Sequence, residues 1–289
     1  MRATILVDNT VPFDSPLRAE HGLSILVEAD GRRILFDTGA SGLVIENARR
    51  LGIDLLDLDY IVLSHGHGDH TGGLYHLVRY YLEAMADGTA PSLPRVVAHP
   101  HCFYRRSKRP VSEVGPLLTA DDVRRVLPVE LTRVPVQLAP SVVFLGEIPG
   151  ALPFEAVDPG ERRIVLPDGT DEPDHLLDDT ALACRTGDGL VIITGCAHAG
   201  CCNTVEHARR VCGEDRIADV VGGLHLRDPG PRLEGTCDYL AELDLAGLHA
   251  CHCTSLAAKA ALAGAVPLAE TGTGLRLTYP DRCRSRSPG

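Results

Sequence analysis

Short apolar runs, bounded by polar residues and glycines, recur along most of the chain. They are rich in β-forming residues and too short for helices, so they predict strands. The predicted strands are Thr4–Val7, Leu23–Glu28, Ile34–Phe36, Tyr60–Leu63, Arg95–Ala98, Ala181–Cys184, Leu190–Thr194, Ala218–Val221, Leu248–Ala250 and Leu275–Thr278. The Asp30-Gly31 dipeptide between two of these runs is typical of a hairpin turn.

Between these strands lie segments whose apolar positions repeat at helical spacing. The predicted helices are Leu43–Leu51, Leu74–Met85, a segment capped by Asn203 that runs to Val211, residues 232–243 and Leu256–Leu262. Strands that alternate with helices indicate an α/β fold. No linker-like tract divides residues 1–289, so we expect one domain.

The pattern weakens between residues 100 and 160, where proline and glycine are frequent. We expect an irregular insertion here. It either faces the substrate or consists of loops and edge strands, and the sequence alone does not decide between these.

A concentration of metal-binding residue types follows the strand at Tyr60. His65, His67, Asp69 and His70 occur within six residues, separated by glycines that let a loop converge its side chains. Imidazoles and a carboxylate are ligands of zinc, iron or manganese. A loop that is merely rich in histidine is the alternative interpretation.

Metal-capable residues also follow three later strands, as Cys196 and His198, His225, and His252. Any one of these histidines alone could belong to the core. Open α/β sheets, however, bind ligands at the carboxyl ends of their strands. The recurrence therefore predicts one shared site at these ends.

The run HGHGDH followed by Thr71-Gly72-Gly73 resembles the first metal motif of the metallo-β-lactamase superfamily. The resemblance implies an αββα sandwich with one or two divalent metals at the edge of its sheets. The following segments are similar to the dihydropterin-ribofuranosylaminobenzene-phosphate-synthase-like branch: Asp8-Asn9, Glu20 to Ser24, Gly195 to Gly200, Asn203-Thr204, Gly222 to Leu226 and His252 to Thr254.

The resemblance implies a ligand set. His65 and His67 would hold the first metal, and Asp69, His70 and His252 the second. His198 is the preferred third ligand of the first metal, but Cys196, or His175 or Asp179, remains an alternative for this mid-chain position. If Cys196 does not bind the metal, it is a small apolar filler behind it. Asp37 would either orient an imidazole through its free nitrogen or cap the following helix. Zinc is favoured, with iron or manganese as alternatives.

We expect a metal-dependent hydrolase that uses a metal-activated water on a small anionic substrate such as an ester or phosphoester. Asp69 would form a hydrogen bond with this water, and His225 would protonate the leaving oxygen. A transferase is the first alternative, joining a pterin methyl diphosphate to an arylamine riboside phosphate with release of pyrophosphate. A non-catalytic metal- or thiol-binding protein is the second.

Positive charge is concentrated at Arg105, Arg106, Lys108 and Arg109, in a chain of net charge −11. This segment is either a solvated face or, with the three arginines, an anion clamp, because guanidinium groups match carboxylates and phosphates. We expect Glu20 to bind substrate together with these arginines. We expect a small-molecule substrate.

The acidic balance argues against a nucleic-acid partner. The sequence shows no signal peptide and no apolar run long enough for a membrane span, so we expect a cytoplasmic protein without a membrane partner. The ten cysteines then suit metal chemistry better than disulfides. The oligomeric state is left open.

Overall fold

The structure, a computed structural model, describes residues 1–111 and 113–281. The strands are β1 (Arg2–Val7), β2 (Ser24–Ala29), β3 (Arg32–Phe36), β4 (Tyr60–Val62), β5 (Arg95–Ala98), β6 (Arg106–Lys108), β7 (Val129–Leu131), β8 (Val136–Ala139), β9 (Val142–Phe144), β10 (Arg162–Val165), β11 (Asp171–Pro173), β12 (Ala181–Arg185), β13 (Leu190–Thr194), β14 (Ile217–Gly223), β15 (Gly247–Cys251) and β16 (Arg276–Thr278). The helices are α1 (Leu43–Arg50), α2 (Gly68–Thr71), α3 (Gly73–Ala86), α4 (Ala120–Arg124), α5 (Cys201–Cys212), α6 (Pro231–Ala241) and α7 (Leu256–Ala263).

Most strands belong to two large sheets. The first has the order β16-β1-β2-β3-β4-β5-β7, and the second has the order β15-β14-β13-β12-β9-β8. The strands β3, β4, β5 and β7 are parallel to one another, as are β13, β14 and β15. Parallel strands end at the same edge of a sheet, and this brings together the side chains that follow them.

The two sheets pack face to face and helices cover their outer faces. One apolar cluster lies between the sheets and includes Phe36 and Val62 of the first and Phe144 and Ile193 of the second. A second cluster joins the first sheet to α1 and α3, and a third joins the second sheet to α5, α6 and α7. These four layers confirm the predicted αββα sandwich.

The segment 100–160 is more regular than its sequence pattern predicts. It supplies β7 to the first sheet and β8 and β9 to the second. It also supplies β6, which pairs with β10 in a small third sheet of order β11-β10-β6. Within the described residues, no helix has the length and apolar character needed to cross a membrane.

The prediction that Asn203 caps a helix is wrong. Helix α5 begins two residues earlier, at Cys201, and Glu155 accepts hydrogen bonds from the backbone N–H groups of Cys202 and Asn203. The side chain of Asn203 instead accepts from the N–H groups of Ala151 and Leu152. It therefore ties the segment before Pro153 to the helix.

Candidate metal centre

The strand ends of both sheets converge on one site. The segment His65 to His70 follows β4, Cys196 to His198 follows β13, and His225 and His252 follow β14 and β15. Several residues just past the strands adopt left-handed backbone angles that turn the chain sharply out of the sheet: Asp37 (φ 58), Ala197 (φ 52), His225 (φ 47) and His252 (φ 52). This backbone is unfavourable for residues other than glycine, so the surrounding packing must hold it.

The Asp37 carboxylate fixes the start of the metal loop. Its Oδ1 accepts from the N–H of Ser64, and its Oδ2 accepts from Oγ of Ser64 and Nδ1 of His70, each at 2.7 Å. The bond to Nδ1 sets the orientation of the His70 ring and leaves Nε2 directed at the pocket. The sequence allowed two roles for Asp37, orienting an imidazole or capping the following helix. The contact with Nδ1 of His70 is that of a residue that orients an imidazole.

Close approach of the two sheets at this point requires a glycine at position 195. A Cβ there would lie 2.0 Å from Oγ of Ser64 and 3.0 Å from Oδ2 of Asp37. A side chain would therefore displace the residues that orient His70. Gly195 allows the end of β13 to bring Cys196 against the loop that follows β4.

Three clusters of ligand atoms share the sulfur of Cys196. Two of them contain histidines of the metal loop, and the third consists of Cys196, His225 and Cys253. Ligand atoms of His65, Cys196 and His198 lie within 4.8 Å of one another, and so do those of His70, Cys196 and His252. Nε2 of His70 lies 3.1 Å from Nε2 of His252 and 3.3 Å from Sγ of Cys196. Two nitrogen ligands of a tetrahedral zinc ion are about 3.3 Å apart. The spacing therefore fits side chains that surround an ion.

The first cluster offers neutral imidazoles. Burial lowers the pKa values of His65 and His198 well below the usual range and lowers that of His67 to about 3. Nε2 of His65 lies 2.9 Å from Nδ1 of His67, and Nε2 of His198 is buried without a hydrogen-bond partner in the described chain. Neutral rings are the form that binds a metal, and Nε2 of His198 has no competing hydrogen-bond partner among the described residues.

The second cluster favours positive charge. Burial alone would lower the pKa of His70, but the carboxylates of Asp37 and Asp69 raise it to about 9. Burial alone would raise the pKa of Asp69, but the neighbouring histidines hold it below its usual range, so this group stays a carboxylate. Oδ2 of Asp69 lies 3.4 Å from Nε2 of His252 and 3.5 Å from Nε2 of His21. The carboxylates that stabilise positive charge on His70 would also stabilise a metal cation bound beside it.

The two thiols beside these histidines, those of Cys196 and Cys253, differ in the direction of their pKa shifts. Burial raises the pKa of Cys196 well above its usual range. Burial would do the same to Cys253, but hydrogen bonds from Cys196 and His225 lower its pKa. The imidazoles alone therefore do not ionise Cys196. A bound metal would, because coordination deprotonates a thiol outright.

The mid-chain alternatives His175 and Asp179 lie outside both clusters. His175 is exposed on the surface. Asp179 is buried, and its Oδ2 accepts from the N–H of Ala199, 3.0 Å away, so it supports the loop that carries His198. Burial raises the pKa of Asp179 to about 7. His225 lies beside this loop, with its ring centroid 4.1 Å from that of His198.

The predicted substrate-binding residues are placed differently from the expectation. Glu20 is committed to the loop after β3, because its carboxylate accepts from the N–H groups of Ala40 and Ser41 and from Oγ of Ser41. Arg106 is 1% exposed and pairs with Asp178 at 2.7 Å and Asp174 at 3.3 Å, so the expectation that it contacts substrate is wrong. Arg105 and Arg109 are exposed, and Arg105 lies 3.6 Å from Glu113.

A cavity of about 200 Å³ opens over the two clusters. Its lining includes His67, Asp69, Cys196, His198, His225 and His252 from the strand ends, and His21, Lys108, Arg162, Arg227 and Cys253 beside them. The cations in this lining are thus Lys108, Arg162 and Arg227 among the described residues, and Arg105 and Arg109 are not part of it.

Several residues that shape the site were not predicted from the sequence. Oδ1 of Asn9 lies 2.9 Å from Nδ1 of His252 and orients that ring. Arg232 donates to the carbonyl oxygens of Ala197 and His198 and so holds the His198 loop. The position of Asp8-Asn9 at the end of the first predicted strand could have indicated that Asn9 belongs to the site. No sequence pattern of this kind indicated a role for Arg232.

Comparison with known proteins agrees with this geometry. Residues 17–81 match the family model described as the metallo-beta-lactamase superfamily. An uncharacterized protein of Methanocaldococcus jannaschii is 30% identical over 263 residues, which are 88% of this chain and 91% of the relative. The chain belongs to the metallo-β-lactamase superfamily.

Two further relatives show which part of the superfamily is similar. The 7,8-dihydropterin-6-methyl-4-(beta-D-ribofuranosyl)-aminobenzene-5'-phosphate synthase of Methanocaldococcus jannaschii is 29% identical over 271 residues, 88% of this chain and 87% of the synthase. A crystal structure of a metal-dependent hydrolase of the beta-lactamase superfamily superimposes with a TM-score of 0.81 and 28% identity, covering 97% of this chain and all of the other. The predicted superfamily and its synthase-like branch are confirmed.

Proposed function

We propose that this chain is a metal-dependent hydrolase that acts on a small anionic substrate. The observation that carries the proposal is the sharing of Cys196 between two ligand clusters at the base of an open cavity. A purely structural metal site would be closed by protein ligands, whereas a catalytic site needs access for substrate. The similarity to a metal-dependent hydrolase over 97% of the chain supports the same proposal.

His65, His67, Cys196 and His198 would hold one metal, and Asp69, His70, Cys196 and His252 a second. Zinc is the preferred ion because a thiolate and imidazoles suit it, and iron or manganese are alternatives. The bound metal would supply a Lewis acid and a water of lowered pKa. One metal per chain would already support this chemistry.

The residues of the chain supply the remaining functions. Asp69 stays a carboxylate and can accept a hydrogen bond from a water in the cavity. His225 lines the cavity, and its Nδ1 is buried without a hydrogen-bond partner in the described residues. It is therefore placed to hold a proton for a leaving oxygen. Asp37 and Asn9 orient His70 and His252 through their second ring nitrogens.

Group transfer is a second candidate, and the 29% identity to a synthase over 88% of the chain favours it. The reaction would join a pterin methyl diphosphate to an arylamine riboside phosphate and release pyrophosphate. Both candidates need the same metal site. They differ in whether water or an amine attacks the substrate.

Product analysis with the metal-loaded protein separates these functions. Hydrolysis predicts turnover of an ester, phosphoester, lactone or thioester without any acceptor. Release of pyrophosphate only when an amine is present would instead favour transfer. A metal-loaded protein inert to every substrate class would favour metal or thiol binding, for which Cys251 and Cys253 are further candidates. A protein that binds no divalent metal would contradict both hydrolysis and transfer.

We also propose a cytoplasmic location. The nine cysteines among the described residues are free thiols. Thiols remain reduced in the cytoplasm. Loss of metal binding on mild oxidation, with recovery under reductant, would support the assignment, and indifference to both would count against it.

A further inference from the structure

Pairing of β6 with β10 places two cations directly opposite each other at the mouth of the cavity. Lys108 and Arg162 are register partners in this antiparallel pair. Directly opposed residues point to the same face of a sheet, and like charges in such positions are destabilising. Both side chains line the cavity above the metal-binding residues.

The buried Arg106 fixes which face of this small sheet is turned to the site. Arg106 and Lys108 are two residues apart on β6, so they share a face. Arg106 pairs with Asp178, whose other oxygen accepts from the N–H of Gly66 in the metal loop. The ion pair therefore anchors the face that carries Lys108 and Arg162 against the loop after β4.

A third cation approaches from the second sheet. Arg227 follows β14 and lines the same cavity. Its segment is held by α7, because Oγ of Ser255 donates to the carbonyl oxygen of Arg227 at 2.5 Å and the N–H of Ser255 donates to that of Leu226. Burial is the main cause that lowers the pKa of Arg162, and the charges of Arg227 and Arg232 lower it further. The carboxylates of Asp174 and Asp158 partly offset this shift.

The three cations lack the carboxylate partners that neighbouring cations have. Arg163 pairs with Asp171 at 2.8 Å, and Arg106 pairs with Asp178. In the described chain, Lys108, Arg162 and Arg227 have no carboxylate oxygen within 4.0 Å. Arg162 donates to the backbone carbonyl of Asp158, and its Nε is buried without a partner. Positive charge without an ion-pair partner thus collects at the cavity of an acidic protein.

We infer that Lys108, Arg162 and Arg227 form a subsite for a phosphate or diphosphate group of the substrate. Guanidinium groups bind phosphate oxygens in pairs, and three cations suit a group with two or more negative charges. The Asp69 carboxylate in the lining lies between His21 and His252, on the metal side of the cavity. The inference rests on the proposed function, since it takes the bound anion to be part of the substrate.

Calorimetric titration of the metal-loaded protein with inorganic phosphate and with pyrophosphate tests this subsite. We expect Arg162→Met and Lys108→Met each to weaken binding by about ten-fold or more, since each removes charge-assisted hydrogen bonds. Arg162→Lys should retain part of the affinity. Arg163→Met is the matched control on the same strand, because its cation is paired outside the cavity, and it should bind as the unaltered protein does.

Acetate serves as the singly charged comparison and should bind more weakly than phosphate. Equal phosphate affinity in Arg162→Met, Lys108→Met and Arg163→Met would overturn the subsite, since the anion would then lie on the metal alone. Absence of binding to the unaltered protein would also overturn it. Metal content and hydrolysis of neutral esters are measured in parallel, so that failure of the proposed function is seen separately from failure of the subsite.

Discussion

The sulfur of Cys196 lies 3.3 Å from Nε2 of His70, although the two residues follow strands of different sheets. Cys196 is thus the point at which the ligand atoms of the first sheet meet those of the second. The sequence left its role open between a metal ligand and a small apolar filler. The filler interpretation does not explain why one sulfur lies within ligand distance of both histidine clusters.

Removal of the Cys196 thiol should weaken metal binding. We expect Cys196→Ala to lower zinc affinity by about ten-fold or more, since even residues that only support a ligand contribute that much. Chelator competition measures the affinity. Cys201→Ala is the matched control, because Cys201 is equally buried at the start of α5 and packs in an apolar cluster. Equal affinity in both variants would show that Cys196 is not a ligand.

The metal loop should account for most of the bound metal. We expect the double variant His65→Ala/His67→Ala to lose the greater part of the one or two equivalents of zinc, iron or manganese, as measured by elemental analysis. The control replaces His76 and His207, which lie on α3 and α5, outside both clusters. Unchanged metal in the first double variant would contradict the assignment of the whole site.

The Asp37 carboxylate should control the ring of His70. Asp37→Asn preserves the shape of the side chain and tolerates the left-handed backbone at this position. It weakens the bond that holds Nδ1, so metal affinity or activity should fall about 10- to 100-fold with the fold intact. Asp30→Asn is the control, since Asp30 has a similar φ of 52 but lies in the β2–β3 turn. Equal effects of the two substitutions would remove Asp37 from the site.

The buried pair of Arg106 and Asp178 should matter for stability. Asp178→Asn leaves the Arg106 charge with only Asp174, and this loss should reduce the free energy of unfolding by about 3–5 kcal/mol. Urea denaturation measures the change. Asp171→Asn removes the exposed partner of Arg163 and should cost less than about 1 kcal/mol. If Asp178→Asn is as mild as this control, the pair does not anchor β6.

The same pair predicts the direction of a pH effect. Burial would raise the pKa of Asp178, but the Arg106 charge and hydrogen bond lower it below its ordinary value of about 3.9. The carboxylate therefore stabilises the folded chain above that pH, and the contribution is lost as pH falls toward the lower pKa of the folded state. Acid denaturation curves should differ less between Asp178→Asn and the unaltered protein below about pH 4 than at pH 7.

The sequence predicted the elements with strong local patterns and the residues that follow them. Continuous apolar runs identified β4, β13 and β14, and the histidines just beyond their ends could be grouped because parallel strands end together. The pairing of β6 with β10 could not be predicted, because both strands are short and their partners are distant in sequence. That pairing is what exposes Lys108 and Arg162 to the cavity.

Burial of charge was the second property that local patterns did not reveal. The basic segment contains Arg105, Arg106 and Arg109, but only Arg106 of these faces the interior. It does so because it pairs with the carboxylates of Asp174 and Asp178. These partners are distant in sequence, so the local pattern did not reveal them. Glu20 was misplaced for a similar reason, since its hydrogen bonds go to the backbone at Ala40 and Ser41. Tertiary partners decided both positions.

The left-handed backbone at Asp37, Ala197, His225 and His252 has a consequence for how the protein can evolve or be engineered. Each such residue costs about 1–2 kcal/mol relative to an ordinary conformation. Glycine would relieve this strain, but at three of the four positions it would delete a side chain that the site uses. Ala197 alone offers no functional group there. The strained backbone thus lowers the stability of the fold while it places the reactive side chains. Few substitutions at these strand ends can raise that stability without removing a side chain of the site.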